Sequence, residues 1–194
     1  MQTIDQIFQA QIEIKKSTFL SYLCPFKDFK NLLVNLKKEH PKSVHFVYAY
    51  RTLNEYNQII EDKSDDGEPK GTSGIPSLNV LRGYDLVNTA VITVRYFGGT
   101  KLGTGGLVRA YSDAANAAIN NASLLTFEFK KNIKIAIDFK NLNRFEHFLR
   151  THSLEFERDF KNEKVILSLN LNEEEEQKFE IFCAQFTPFE IETL

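Results

Sequence analysis

The hydrophobic pattern of this 194-residue chain changes period several times, and each change marks an element. Residues 11–24 (QIEIKKSTFLSYLC) alternate apolar and polar at first and predict a strand. Phe29, Leu32, Leu33 and Leu36 then fall on one helical face, with Asp28 placed to cap the helix and Pro41 to stop it. Residues 43–52 (SVHFVYAYRT) are β-branched and aromatic and predict a strand, with 56–62 (YNQIIED) as its hairpin partner. The stretch 63–77 (KSDDGEPKGTSGIPS) is dense in turn formers and reads as loop. A nearly continuous apolar run, 86–97 (LVNTAVITVRYF), predicts a central strand buried on both faces. Residues 104–122 predict an alanine-rich helix whose small side chains permit close packing on a sheet.

The pattern restarts around residues 126–131. Residues 132–139 (NIKIAIDF) alternate as a strand. Leu142, Phe145, Phe148 and Leu149 form one face of a helix over 141–152. Residues 154–160 and 164–171 read as strands separated by the turn KNE. Asn172 is placed to cap a helix over 173–186, with Glu175 in capping-box position and the acidic run EEEE at the positive end of the dipole. Phe179, Phe182, Cys183 and Phe186 form its apolar stripe, and 189–194 (FEIETL) closes as a strand. The order β-α-β-β-α-β is that of a ferredoxin-like domain. The chain therefore reads as a two-domain α+β protein, with domains at 1–128 and 129–194.

Composition narrows the function. Hydrophobic residues make up 42% and charged residues 26%, which suits a globular chain. No apolar run is long enough to span a bilayer, so no membrane partner is expected. The N-terminus lacks the apolar core of a signal peptide, and Cys24 and Cys183 make no CxxC pair, so a cytoplasmic location is expected. The net charge of −2 argues against a general polyanion binder. Residues 1–128 carry 14 Lys+Arg against 13 Asp+Glu, while 129–194 carry 10 against 13. Positive charge is local: no acid lies between Asp85 and Asp113, a stretch that holds Arg95, Lys101 and Arg109.

That stretch contains RYFGGTKLGTGGLVRAY (95–111), with five of the chain's nine glycines. A strand ends at Phe97 and a helix starts near Thr104–Gly106. Free N–H groups at a helix start favour anions, and glycines let an anion approach the backbone. The P-loop pattern fails because Thr104 stands where it needs Lys; the dinucleotide fingerprint fails at Val108. A tight strand-to-helix connection whose glycines serve only packing fits the same residues. In the acidic loop, Asp62, Ser64, Asp66 and Gly67 match the start of a calcium loop, but Ser73 stands at its twelfth position and Pro69 interrupts it. Ser73 is no nucleophile elbow, because Ile75 stands where glycine is needed. The four histidines, His40, His45, His147 and His152, form no ligand pair. No metal, cofactor or catalytic residue is assigned.

Three blocks, IKKSTF, SDDGEPKGTSGIPSLNVL and RYFGGTKLGTGGLVRAY, closely resemble the IMPACT family and its bacterial YigZ branch. The resemblance implies an N-terminal domain like domain two of a small-subunit ribosomal protein and domain four of elongation factor G. It implies a C-terminal domain like domain five of that factor. Eukaryotic members regulate translation under amino-acid starvation by competing for the activator of a stress kinase, aided by an extra N-terminal domain. The present sequence starts at the shared domain, so that partner is not carried over. The family's motif positions fall on Lys16, Ser17, Asp65, Asp66, Gly67, Glu68, Pro69, Gly71, Thr72, Gly74 and Pro76. They continue on Arg95, Tyr96, Gly98, Gly99, Leu102, Gly103, Gly105, Gly106, Arg109 and Tyr111. His45 matches the family's strand histidine, but Phe46 and Val47 replace the polar pair that often follows it.

These observations make RNA or the ribosome the expected partner. Phosphate would meet Arg95, Lys101, Gly103, Thr104, Gly105, Gly106 and Arg109. Lys16, Ser17, His45, Asp65, Asp66, Glu68 and Thr72 form the family's polar site, with the acidic loop either orienting the cations or pairing with them. Two alternatives stand beside this: a hydrolase of a phosphate-bearing substrate built on His45, Asp65, Asp66 and Glu68 around the glycine loop, and a module that binds a protein partner, which an exposed apolar patch without basic character would favour. The oligomeric state is not legible.

Overall fold

The apolar run that leads into the glycine loop becomes the middle of a sheet. The structure, a computed structural model, describes residues 1–161, 164–187 and 191–193. Its contacts divide the chain into two units, Met1–Phe127 and Glu128–Leu194. The first unit runs β1 (Gln2–Thr3), β2 (Phe8–Ile14), β3 (Ser17–Pro25), α1 (Phe29–Glu39), β4 (His45–Leu53) and β5 (Ile59–Ser64). It continues with α2 (Gly74–Gly83), β6 (Thr89–Tyr96), α3 (Thr104–Asn120) and β7 (Leu125–Thr126). The second holds β8 (Lys131–Asp138), α4 (Leu142–Thr151), β9 (Phe156–Lys161), β10 (Lys164–Leu171), α5 (Glu173–Cys183) and β11 (Ile191–Thr193).

In the first unit the sheet order is β2-β3-β6-β4-β5, with every pairing antiparallel. Thr89 to Arg95 of β6 are all buried, as the nearly continuous apolar run predicts. Val91 packs with Leu78, Leu81, Ala115, Ala118 and Ile119 on the face that α2 and α3 cover. Ala90, Ile92 and Val94 pack with Phe29 and Leu36 of α1 on the other. Ala110, Ala114, Ala115 and Ala118 of α3 are buried, so the helix backbone lies close to the strands. Each fully buried Leu or Ile contributes about 1.5–3 kcal/mol to this arrangement. β1 and β7 form a separate two-stranded ribbon.

The second unit has sheet order β11-β8-β10-β9, again antiparallel. Ile135, Ile137, Phe145, Leu149, Val165, Leu167, Leu169 and Phe179 are among the buried residues of its core. The capping box at α5 is present: Asn172 accepts from the Glu175 N–H, and Glu175 accepts from the Asn172 N–H, both at 2.9 Å.

Three expectations need correction. Residues 11–24 are not one strand but the arms of a hairpin, β2 and β3, turning at Lys15 (φ 48°) and Lys16 (φ 65°). A two-residue turn with both φ angles positive normally advertises itself by Asn or Gly, and two lysines conceal it. Asp28 makes no capping hydrogen bond, because it sits in helical conformation at the end of the 3-10 turn Phe26–Asp28. Helix α2 lies partly in a stretch that reads as loop. Its Gly74, Pro76 and Gly83 look like breakers, yet proline is tolerated in a helix's first turn, where its missing N–H has no partner to lose. Of the turn KNE, Asn162 and Glu163 lie outside the described residues, as do Phe189, Glu190 and Leu194 of the closing strand. Among the described residues no helix is long and apolar enough to cross a membrane.

Candidate anion-binding site at the glycine loop

β6 ends beside the β2–β3 hairpin, and that neighbourhood shapes the loop. Thr18 pairs with Tyr96 at the end of the ladder. One step on, the Gly98 N–H donates to Ser17 Oγ at 3.1 Å. A Cβ on Gly98 would lie 2.0 Å from the Lys16 carbonyl carbon, so only glycine fits there. Gly99 (φ 85°) and Gly103 (φ 74°) then turn the chain through the left-handed region into α3. Ser17 is therefore buried as a structural acceptor, while Lys15 and Lys16 remain exposed at the hairpin tip.

Helix α3 begins without a side-chain cap and without an acid in its first turn. Its first intrahelical donor is the Leu107 N–H, which reaches the Gly103 carbonyl at 2.9 Å. The N–H groups of Thr104, Gly105 and Gly106 precede it and have no backbone partner of that kind. Gly103, Thr104 and Gly105 are exposed, and the space beside Gly103 and Gly105 is open. Lys101 and Arg109 are exposed and form no ion pair among the described residues, and the same holds for Lys16.

Arg95 departs from this group. It is only 5% exposed, and its Nη1 donates to Glu68 Oε1 at 2.5 Å. The same carboxylate oxygen accepts the Tyr111 hydroxyl at 2.8 Å and lies 3.8 Å from His45 Nε2. Burial, reinforced by the Glu68 charge, drives the Tyr111 phenol pKa far up, so that hydroxyl acts as a donor. The His45 Nδ1 faces the Asp66 carbonyl at 2.7 Å; a carbonyl only accepts, so Nδ1 carries the proton. The Arg95 guanidinium lies over two rings, 5.5 Å from the Phe19 centroid and 5.8 Å from that of Phe97. Among the described residues its Nε is buried without a hydrogen-bond partner. The expectation that Arg95 offers its charge to phosphate is therefore corrected: the strand alternation turns it inward, toward Glu68 and Tyr111.

The acidic loop spends its carboxylates internally. Asp65 Oδ1 accepts from the Ser73 N–H (3.2 Å), the Ser73 hydroxyl (2.7 Å) and the Gly74 N–H (2.8 Å). Its Oδ2 accepts from the Gly71 N–H at 2.8 Å. Asp65 thus caps α2 from nine residues upstream. Burial works to raise its pKa, but the donors from Gly71, Ser73 and Gly74 outweigh it and hold the carboxyl below its ordinary range. Asp66 accepts from the Phe46 N–H at 2.6 Å, and the Thr72 hydroxyl donates to the Pro69 carbonyl at 2.7 Å. Among the described residues no three of His, Cys, Asp and Glu gather as a metal site.

Sequence reasoning did not assign a role to Phe97, which is 51% exposed at the mouth of the loop, nor to Lys15 beside Lys16. The inward-facing network His45–Glu68–Arg95–Tyr111 was present in the motif positions but not legible as one network. Period-two alternation from Arg95 and the spacing of Tyr111 in α3 put the two side chains on facing surfaces, and that is the only sequence signal for it.

The comparisons with known proteins agree with the resemblance. Residues 15–119 match the model of the Impact N-terminal domain. The chain is 30% identical over 188 residues to the IMPACT family member YvyE of Bacillus subtilis, covering 95% of this chain and 86% of that protein. It is 32% identical over 181 residues to an IMPACT family member of Haemophilus influenzae, covering 90% and 85%. It is 38% identical over 110 residues to the IMPACT family member YigZ of Escherichia coli, covering 55% of this chain and 54% of that protein. A crystal structure of a hypothetical protein is similar with a TM-score of 0.71 at 27% identity, covering 100% of this chain and 95% of that chain.

Proposed function

The chain belongs to the IMPACT family, and on that premise we propose that it is a translation-associated regulatory protein that binds RNA, free or in the ribosome, through its glycine loop. The observation that carries the reading is the set of exposed cations, Lys16, Lys101 and Arg109, unpaired among the described residues, with a glycine-lined helix start that has no acid in its first turn. Phosphate is the anion that backbone N–H groups and dispersed cations both suit. Lys16 takes the place that Arg95 leaves. The groups a hydrolase would use are engaged elsewhere: Glu68 by Arg95 and Tyr111, Asp65 by the start of α2, and Asp66 by β4. That favours binding over catalysis. The sheet order β11-β8-β10-β9 supports reading the second unit as a ferredoxin-like domain similar to domain five of elongation factor G. The first unit is read as the domain-four type of the same factor, which suits a ribosomal surface.

Co-sedimentation with ribosomes across a salt series tests this. The protein is expected in the ribosome pellet at low salt and released as salt rises, because phosphate contacts release counterions. Absence from the pellet at low salt, with a folded protein, would overturn the ribosomal reading.

A further inference from the structure

We propose that Phe97 is a stacking platform for an unpaired nucleobase, which makes single-stranded RNA the preferred ligand of the glycine loop. This rests on the phosphate-binding reading above and goes beyond it, since cations and backbone donors alone accept a duplex as readily as a single strand.

Phe97 is the residue between the last strand position, Tyr96, and the Gly98–Gly99 pair. The residue is 51% exposed, although Arg95, two positions before it, is buried. The Arg95 guanidinium lies 5.8 Å from the ring centroid, within cation–π range. Glu68 holds that guanidinium, and Phe19 lies on it at 5.5 Å from its own centroid. The ring is thus supported from inside the protein by a group that is itself fixed. An exposed phenyl held this way loses little freedom when a flat ligand covers it.

Its surroundings select the ligand. Gly98 and Gly99 follow it without side chains, so neither of them covers the ring. Lys16 adjoins Gly98 through the hairpin contact, and Lys101 lies four residues on; neither is paired among the described residues. A ligand that meets both features carries flat apolar faces between regularly spaced anions. Unpaired nucleotides do so, whereas duplex bases are stacked on one another and cannot offer a face. Base-on-aromatic stacking tolerates any sequence, so the site is expected to prefer single strands without reading their sequence.

The chain has no tryptophan, which supplies a direct probe. Phe97→Trp introduces a single indole at the platform. Titration with an oligouridylate of about twelve nucleotides is expected to quench its fluorescence; this length covers one ordinary single-strand site. Phe97→Ala is expected to weaken oligouridylate binding about five- to hundredfold. Its log–log salt slope should match that of the wild type, because no phosphate contact is lost. The wild type is expected to bind the oligouridylate more tightly than a duplex RNA of equal length, and Phe97→Ala to lose that preference. Urea midpoints confirm that each variant is folded; should Phe97→Ala fail to fold, the quenching and the wild-type preference still decide. Wild-type binding with no quenching in Phe97→Trp and unchanged affinity in Phe97→Ala overturns the platform alone. Failure of the wild type to bind either RNA at low salt overturns the phosphate-binding reading and the platform with it.

Discussion

Asp65 shows how one side chain replaces a missing local signal. Three backbone N–H groups and one hydroxyl converge on it, from Gly71, Ser73 and Gly74. All of them favour the ionised carboxylate, so its pKa is lower folded than unfolded. A depressed carboxylate pKa stabilises the fold above the unfolded pKa, about 3.9 for Asp, and that contribution is lost as pH falls through the folded value. Urea titrations of the wild type are expected to show stability falling below about pH 4. Asp65→Asn should be less stable at neutral pH and should lose less on acidification. A variant whose acid sensitivity equals that of the wild type would contradict this role. Arg95 gives the opposite lesson at the same scale. Its charge looks available in sequence, yet burial and Glu68 consume it, and residue type alone does not say which face of the strand it occupies.

At the scale of elements, capping separates what is local from what is not. The α5 box is written in four consecutive residues, Asn172 to Glu175, and the structure forms it as read. Asn172→Ala is expected to cost about 1 kcal/mol, the usual worth of an N-cap. The check is the urea midpoint of the transition assigned to the second unit; no shift would contradict the cap's contribution. Helix α2 has its cap nine residues away, across a loop, and so was not legible. The strand β6 and the helix α3 were legible because their signals, a nearly continuous apolar run and a stripe of alanines, are long. The β2–β3 turn was not, since its positive φ angles fall on lysines. The glycine loop was legible as glycine-rich, but the reason for Gly98 is a tertiary one: the backbone of Lys16 occupies the space its side chain would need.

Across the whole chain, contacts separate Met1–Phe127 from Glu128–Leu194, and each unit has its own buried core. If the connection is exposed, as boundaries between domains usually are, limited proteolysis should yield fragments of about 127 and 67 residues. Stable fragments cut within β6 would contradict two domains. Charge is also distributed by unit, with the acid-free stretch in the first and the acidic helix start in the second. The central claim is that Lys16, Lys101 and Arg109 hold RNA phosphates. It is tested most directly by titrating labelled single-stranded RNA against the wild type, Lys101→Ala and Arg109→Ala at several salt concentrations. Three phosphate contacts predict a log–log slope near −2, from a coefficient of about −0.7 each on single strands, and each variant should flatten it by about 0.7. Equal affinity and equal slope in folded variants would contradict the claim and leave the glycines as packing residues.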